Sequence, residues 1–514
     1  MENKDTNLSF DTQKELPLLR IYESEGVGEV SEEFSLPDYV PEVRRILTVR
    51  ASALPESKYL NDTGSPICLE LGGTVAYSVI YLDKENNVSA LPLSSTYFSK
   101  VNLSEAPKST SAQTTVETVS CRVLGPRKLS IKTRLKNKVI CQKENGEEPK
   151  IFPCSSGEEL YEERKYEEIS TFEGKRALLD NVKISDKLEI GEGMRPIWCD
   201  AQINLTEAEA KLGEVSVRGE VTVICLAVSD SEEAVFKKTV KLSEEIEVEG
   251  ADTGDSVRLF ARCVSLSLSN EEASGTSEVF FDLAYELEGE VIRKGTTKVL
   301  VDAYSTKYPS KEEYREIEYH TPKSVGTGTF SINEQAKSEG LKNREILTVF
   351  ADPVYEKCEI KGQKAYLVGK ISLGVITKPR TGEEQGEEIS FESFDFPVKY
   401  EISVNEQLKN PLTVCEMSIG KINATLDQGK LNVSGDVLVA YAIYERKSTR
   451  VLKSSTLKTD EILKRDKASV RVCFPRKGED LWDLAKRYRV SAKRLAAQNE
   501  IDGDGILEKT YLII

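Results

Sequence analysis

The chain repeats itself at a spacing of about 150 residues, and this repeat restricts the fold more than any other feature of the sequence. The segments that begin alike are Arg44–Leu47, Arg195–Trp198 and Arg344–Leu347, offset by 151 and 149 residues. A second landmark, a glycine that opens an apolar run, follows each of them at Gly72, Gly219 and Gly369. A repeat of this size is a whole domain and not one turn of a solenoid. The sequence therefore predicts three related domains in a row.

Each repeat has the pattern of β-strands. Val, Ile, Thr and Tyr alternate with polar residues in short runs, most clearly in Lys211–Gly219 and Lys430–Val439. Turn-forming clusters such as Asp83–Asn87 separate the runs. Within the second and third repeats the strand pattern occurs twice, which favours two similar halves packed face to face. We expect a mainly β fold of three β-sandwich-like domains, with a barrel as the alternative.

The carboxyl-terminal tail has a different pattern. Val470, Val472 and Phe474 alternate with polar residues, which predicts a half-buried strand. Asp480 is a good N-cap, and apolar residues recur at helical spacing from Leu481 to Tyr488. Ser491 is a candidate cap for a second short helix, and the apolar residues at 511–514 supply a closing strand. The tail is therefore expected to form a small α+β module of βααβ order.

This tail resembles the LysM family on the run Gly478-Glu479-Asp480-Leu481-Trp482. The resemblance implies a module that binds N-acetylglucosamine polymers in a shallow groove between two loops, which would be Gly478–Leu481 and Ile501–Leu507. The chain departs from the family pattern in both loops. Asp480 replaces the usual capping hydroxyl, and Gly505–Lys509 stands where the family has a Pro-Gly-Gln stretch.

The candidate ligand-binding or partner-binding residues follow from this resemblance and from the aromatic and basic residues of the first helix. They are Gly478, Glu479, Asp480, Leu481, Trp482, Arg487, Tyr488, Lys493, Ile501, Asp502 and Gly503. Trp482 is expected to act indirectly, because an aromatic residue on a short helix is more often core than ligand platform. Truncation of a buried Trp removes about 3–5 kcal/mol, enough to unfold so small a module.

The predicted organisation is a lead-in, three β domains and the tail. The boundaries are 1–35 for the lead-in, 36–140, 175–308 and 325–455 for the β domains, and 468–514 for the LysM domain. This order, with the Pro-bracketed segment Leu36–Glu42 before the first repeat, resembles the clostridial spore-coat assembly proteins, in which SPOCS domains precede a LysM domain.

That resemblance implies a scaffold in the mother-cell cytoplasm, at the forespore surface and in the spore coat. Its LysM domain would dock onto a coat morphogenetic ATPase of the SpoIVA type, and its β domains would contact other coat proteins. The alternative hypothesis, from another functional class, is a LysM protein that binds peptidoglycan as an N-acetylglucosamine polymer.

Composition excludes some partners. The net charge of −16 argues against nucleic acid and anionic membranes, and no apolar run is long enough for membrane insertion. No signal-peptide pattern is visible, and the ten cysteines are widely spaced without a Cys-x-x-Cys pair. These features predict reduced, buried thiols in the cytoplasm.

The sequence contains few of the residue patterns that enzymes use for catalysis. The only histidine, His320, lies in a stretch expected to link the second and third repeats, so a catalytic triad or a histidine-rich metal site would depend on it alone. No phosphate-binding Gly-x-x-x-x-Gly-Lys-[Ser/Thr] run occurs. The acidic runs at 158–163 and 383–388 are typical of solvated loops. We expect neither enzymatic activity nor a cofactor or metal.

Overall fold

The computed structural model of the chain is mainly β, as predicted. It describes residues 17–145, 150–151, 161–229, 232–269, 278–380, 388–404, 406–458, 461–464, 471–501 and 511–514. Within these ranges, six long strands form each of three units, and a small βααβ module follows. We refer to the three units together as the body and to the described residues from 471 onward as the tip.

Each unit consists of six strands. The first unit contains β1 (Leu19–Ser35), β2 (Val43–Asn61), β3 (Cys68–Asp83), β4 (Val88–Asn102), β5 (Ser109–Gly125) and β6 (Lys128–Glu144). A two-residue strand, β7 (Lys150–Ile151), follows it. The second unit contains β8 (Glu162–Glu189), β9 (Arg195–Lys211), β10 (Glu214–Val228), β11 (Glu233–Glu247), β12 (Ser256–Ser269) and β13 (Glu278–Ser305).

The third unit contains β14 (Ser310–Lys337), a 3₁₀ turn (Glu339–Leu341), β15 (Arg344–Lys361), β16 (Lys364–Pro379), β17 (Ser390–Ser403), β18 (Pro411–Asp427) and β19 (Lys430–Leu457). The strand β7 pairs in parallel with β19. The tip contains β20 (Val472–Cys473), α1 (Leu481–Tyr488), α2 (Ala492–Gln498) and β21 (Leu512–Ile513).

All three units share one topology. The first, sixth and fifth strands of a unit form one antiparallel sheet, and the second, third and fourth strands form the other. Side chains from both sheets meet in a common core, for example Val221 and Val223 of β10 with Phe281 and Leu283 of β13, none more than 1% exposed. This arrangement confirms the predicted repeats and the sandwich-like packing of two sheets.

The repeated glycine has a clear physical reason. In the first unit the glycine at this position is Gly73, which directly follows the predicted landmark Gly72. A Cβ atom on Gly73, Gly219 or Gly369 would lie 2.2, 2.3 or 2.2 Å from a main-chain oxygen of the paired strand. In each case the pairing register shifts beside the glycine, which marks a β-bulge. A bulge bends its strand toward the neighbour, and only glycine leaves space for that approach. The landmark glycine therefore marks the place where the sheet of the second, third and fourth strands bends in each unit.

The units begin earlier than the predicted boundaries at 36, 175 and 325. Their opening strands start at Leu19, Glu162 and Ser310, so β1 lies within the predicted lead-in. These strands carry many charged residues and few consecutive apolar ones, and pairing with the sixth strand holds them in place. The linker predicted around His320 is also wrong, because this residue lies within β14.

The units pack around a shared centre. Leu18, Ile169 and Tyr319, at corresponding positions in the three repeats, form one buried cluster. A second cluster also draws on all three units, and in it Trp198 meets Phe350 edge to face with ring centroids 4.9 Å apart. The body is therefore joined by apolar contacts that include every unit.

A charged contact lies beside the second cluster. Arg50 of the first unit binds Asp200 of the second at 2.7 Å and Asp352 of the third at 3.0 Å. Its guanidinium also lies 5.1 Å from the centre of the Phe350 ring. One side chain thus connects all three units. Burial opposes the charge of Arg50, but the two carboxylates outweigh this effect and raise its pKa.

Candidate binding site in the carboxyl-terminal module

The tip folds around a small core that both predicted caps support. The Asp480 carboxylate accepts a hydrogen bond from the Asp483 backbone N–H at 2.7 Å, and Ser491 caps α2 in the same way. Gly478, with φ of +81°, makes the turn into α1. The buried residues of this core are Cys473, Leu481, Trp482, Leu484, Ala485, Leu495 and Leu512, together with Tyr304 of the body.

The strand β20 has the opposite orientation to the prediction. Cys473 is fully buried, whereas Val472 and Phe474 are 49% and 64% exposed. Cys473 pairs with Leu512, and both point toward the helices. The tip therefore has an outward sheet face that carries Val472, Phe474 and Tyr511. Val470 lies outside the described residues.

The helix α1 lies against the body, and Asp302 of β13 is the centre of that contact. Its carboxylate accepts hydrogen bonds from Trp482 Nε1 at 2.8 Å, Lys486 Nζ at 2.6 Å and the Tyr314 hydroxyl at 2.5 Å. Burial alone would raise the pKa of Asp302, but these three donors outweigh burial and lower the pKa. An ionised carboxylate with three donors is a strong attachment point.

Further contacts extend this attachment along α1. Tyr304 packs its ring edge to face on Trp482, with centroids 5.0 Å apart, and donates its hydroxyl to the Val490 carbonyl at 2.7 Å. At the start of the helix, Lys165 of β8 pairs with Asp480 at 2.8 Å. At its end, Arg489 donates to Ser310 at 2.7 Å. The body therefore contacts both ends and the middle of α1.

The first predicted loop is held largely by contacts within the chain. Glu479 accepts a hydrogen bond from the Arg476 backbone N–H at 2.8 Å and pairs with Arg487 at 3.2 Å. The Asp480 carboxylate accepts the capping hydrogen bond from the Asp483 N–H and pairs with Lys165. Leu481 is buried. This half of the expected groove therefore has few side-chain polar groups left for a ligand.

The remaining predicted residues are divided between the core and the surface. Trp482 is 7% exposed, so its side chain holds the tip together and binds the body. Arg487 lies over the ring of half-buried Tyr488, and Lys493 is exposed at the start of α2. Ile501 borders the core of the tip. Asp502 and Gly503, with most of the second loop, lie outside the described residues. The role of these residues in binding stays a prediction.

The residues of the body that complete this region could not be predicted from the sequence. Lys165, Asp302, Tyr304 and Tyr314 lie more than 150 positions from the tip residues that they contact. Each lies near the end of a long strand. No local pattern distinguishes them, so only the fold brings them to α1.

Comparison with known proteins identifies the module. The family described as LysM domain matches residues 476–514. The tip is therefore a LysM domain, a class of module that binds N-acetylglucosamine polymers without catalysis. No curated protein and no solved structure matches the chain.

Within the described ranges, no three His, Cys, Asp or Glu side chains are grouped closely enough to hold a metal ion. Among the same residues, no helix is both long and apolar enough to cross a membrane.

Proposed function

We propose that this protein is a non-enzymatic scaffold of spore-coat assembly, similar in organisation to the SpoIVA-interacting protein of the clostridial SPOCS and LysM family. The body positions the LysM tip, and the tip docks onto a coat morphogenetic ATPase of the SpoIVA type. The protein acts in the mother-cell cytoplasm at the forespore surface.

The observation that carries this proposal is the contact between α1 and the body. Trp482, Lys486 and Asp480 are bound by Asp302 and Lys165, which gives the tip one orientation relative to three joined domains. A fixed orientation suits a protein that connects other proteins at set positions. The same contact occupies polar groups beside the first loop of the expected sugar groove, which favours a protein partner that binds the outer surface of the tip.

Charge supports a protein partner as well. The chain carries a net charge of −16, but the tail from Val470 onward has nine Lys or Arg against seven Asp or Glu. The exposed Lys493 lies on this basic part of the molecule. A basic tip on an acidic body directs the tip, and not the body, toward an acidic surface.

The test is the binding of the full chain to the purified ATPase, measured by interferometry. We expect saturable binding that weakens at least about tenfold in Lys493→Glu, because the reversed charge repels an acidic surface. The matched control is Lys132→Glu, which reverses an exposed lysine of β6 in the first unit. Equal affinities of the two variants, or no binding by the native chain, would reject the proposed docking.

The second candidate function is peptidoglycan binding, and the family match over residues 476–514 favours it. It is tested by calorimetric titration of the full chain with N-acetylglucosamine hexamer. The full chain is needed because Tyr304 of the body belongs to the core of the tip. Saturable micromolar binding of the hexamer, with no binding of the ATPase, would establish this alternative.

A further inference from the structure

A cavity of about 200 Å³ lies where the second and third units meet, away from the tip. Its walls come from β8 and β13 of the second unit and from β14 and β19 of the third. The side chains around it are of two kinds. Ser170, Thr171 and Thr321 contribute hydroxyls, and Lys294, Lys323 and Lys447 contribute ammonium groups. Carboxylates are not part of this lining.

One of the hydroxyls is buried without a partner. Thr321 is 5% exposed, and its Oγ1 has no hydrogen-bond partner among the described residues. Its neighbour Thr171 is as deeply buried, but that hydroxyl donates to the Pro17 carbonyl at 2.6 Å. Buried polar groups are normally satisfied, so the Thr321 hydroxyl can make a hydrogen bond to a polar ligand in the cavity.

The lysines reach the cavity from three different strands. Lys323 lies at a β-bulge, since Pro322 pairs with Tyr444 and Ser324 pairs with the next residue, Ile443. This irregularity removes Lys323 from the regular ladder at the cavity wall. Lys294 comes from β13 and Lys447 from β19.

The charges around the cavity do not balance. Lys323 contacts both Glu406 and Glu445, and Lys447 lies 3.7 Å from the same Glu445. Lys294 makes no ion pair with any residue that the structure describes. Three ammonium groups and two carboxylates leave one positive charge. The three lysines line the cavity, whereas Glu406 and Glu445 do not.

We propose that this cavity binds a small tetrahedral oxyanion of the phosphate type. The Thr321 hydroxyl donates one hydrogen bond to it, and Lys294, Lys323 and Lys447 supply charge-assisted contacts from both units. Lysine binds such anions as a flexible point charge, which suits a site assembled from separate strands. Because the anion contacts the second and third units together, its binding stabilises the boundary between them.

The test uses the full chain with inorganic phosphate as the probe. Thermal unfolding is followed in increasing phosphate, with chloride added to keep the ionic strength constant. We expect a saturable rise of the melting temperature, because a ligand bound only by the folded state stabilises that state. Broadening of the ³¹P signal of phosphate reports binding directly, without unfolding.

Two variants remove the proposed contacts. Lys294→Met removes the unpaired charge, and we expect the half-saturating phosphate concentration to rise at least about tenfold. Thr321→Val replaces the unpartnered hydroxyl by a methyl group of similar shape, so the variant should unfold normally in chloride but respond less to phosphate. The control is Lys298→Met, an exposed lysine on the same strand as Lys294, which should behave like the native chain.

The two results that oppose the proposal are distinct. No saturable shift and no ³¹P broadening in the native chain would overturn the site. A shift of equal size in Lys294→Met, Thr321→Val and the control would show an adventitious ion only. Neither result affects the proposed docking of the tip, which is measured with another ligand at another surface.

Discussion

At the scale of single residues, Asp302 decides how the tip is held. It accepts hydrogen bonds from the Trp482 indole and the Lys486 ammonium of the tip, and the Tyr314 hydroxyl of the body adds a third. The sequence predicts that Trp482 holds the module together. It could not predict Asp302, because an isolated acid near the end of a strand has no pattern that points to a distant helix.

Replacing this carboxylate is expected to release the tip. Asp302→Asn keeps the size of the side chain but leaves Lys486 without its counter-charge, so the attachment should weaken by about 1–3 kcal/mol. Hydrogen exchange of the α1 amides is the measurement, and exchange should become faster. Asp427→Asn, at an exposed position near the turn between β18 and β19, is the control. Unchanged α1 exchange in Asp302→Asn would show that this carboxylate is not the main attachment.

Acid should release the tip in the same way. The pKa of Asp302 is lowered in the folded chain, so its contribution is present above the unfolded value near 3.9 and is lost as the pH falls through the folded value. We expect the native chain to resemble Asp302→Asn only below about pH 4. Hydrogen exchange of α1 at several pH values, corrected for intrinsic rates, checks this, and release already at pH 6 would contradict it.

The only histidine is a structural residue in the fold. His320 Nδ1 accepts a hydrogen bond from the Ile21 backbone N–H at 3.0 Å and so joins the third unit to the first. Burial, reinforced by Arg446 and Arg20, lowers its pKa to about 4. In the unfolded chain His320 is therefore protonated below about pH 6.5, whereas in the folded chain it stays neutral down to about pH 4. The free energy of unfolding therefore falls as the pH drops from 6.5 to 4.

This difference predicts a measurable pH dependence. Between pH 6.5 and 4 the native chain should lose about 3 kcal/mol of unfolding free energy through His320 alone. His320→Gln, which can still accept a hydrogen bond, should lack that loss. Denaturant unfolding of both proteins isolates the effect from carboxyls such as Glu416, whose pKa burial raises to about 7. Parallel pH profiles would show that His320 is not buried in its neutral form.

At the scale of elements, the sequence was most informative where one local cause repeats. The glycine in the third strand of each unit could be predicted as a landmark because the sheet around that strand has a bulge at the same place in all three units. The opening strands could not be found, because pairing and not an apolar run holds them. The predicted orientation of β20 was wrong for a related reason. A two-stranded sheet with apolar residues on both faces does not reveal which face the helices cover.

The bulge predicts a specific sensitivity to added volume. In Gly369→Ala the new Cβ would lie 2.2 Å from the Val354 oxygen, so the paired strand must move. We expect a loss of about 1–3 kcal/mol in denaturant unfolding. Gly125→Ala is the matched control, because nothing lies within 4 Å of its Cβ position at the end of β5. Equal effects of the two substitutions would contradict the steric explanation.

At the scale of the whole molecule, three similar domains are joined into one body. Repeats in a sequence predict similar folds, but they do not show whether the copies contact each other. Here the corresponding residues Leu18, Ile169 and Tyr319 meet, and Arg50 connects the three units through charge. These contacts depend on the relative placement of the units, which the sequence pattern does not contain.

We call the region where Arg50, Trp198 and Phe350 of the three units meet the joint, and it is tested through Arg50. Arg50→Met leaves Asp200 and Asp352 without their shared partner and should reduce the unfolding free energy by about 1–3 kcal/mol. Arg218→Met removes an exposed arginine of the second unit, and a surface change of this kind should stay within about 0.5 kcal/mol. Fluorescence of Trp198, which lies at the joint, follows the denaturant unfolding of both variants. A loss for Arg50→Met no larger than for Arg218→Met would mean that the ion pairs of Arg50 do not help to join the units.

The central claim is that the body holds the LysM tip in one orientation. The chain has two tryptophans, Trp198 at the joint and Trp482 between tip and body, so Trp198→Phe leaves a single probe in the tip. Time-resolved fluorescence anisotropy of that variant is the most direct measurement. We expect Trp482 to rotate with the slow correlation time of the whole 57.3 kDa molecule. A dominant fast component, as expected for a small module on a free linker, would contradict it.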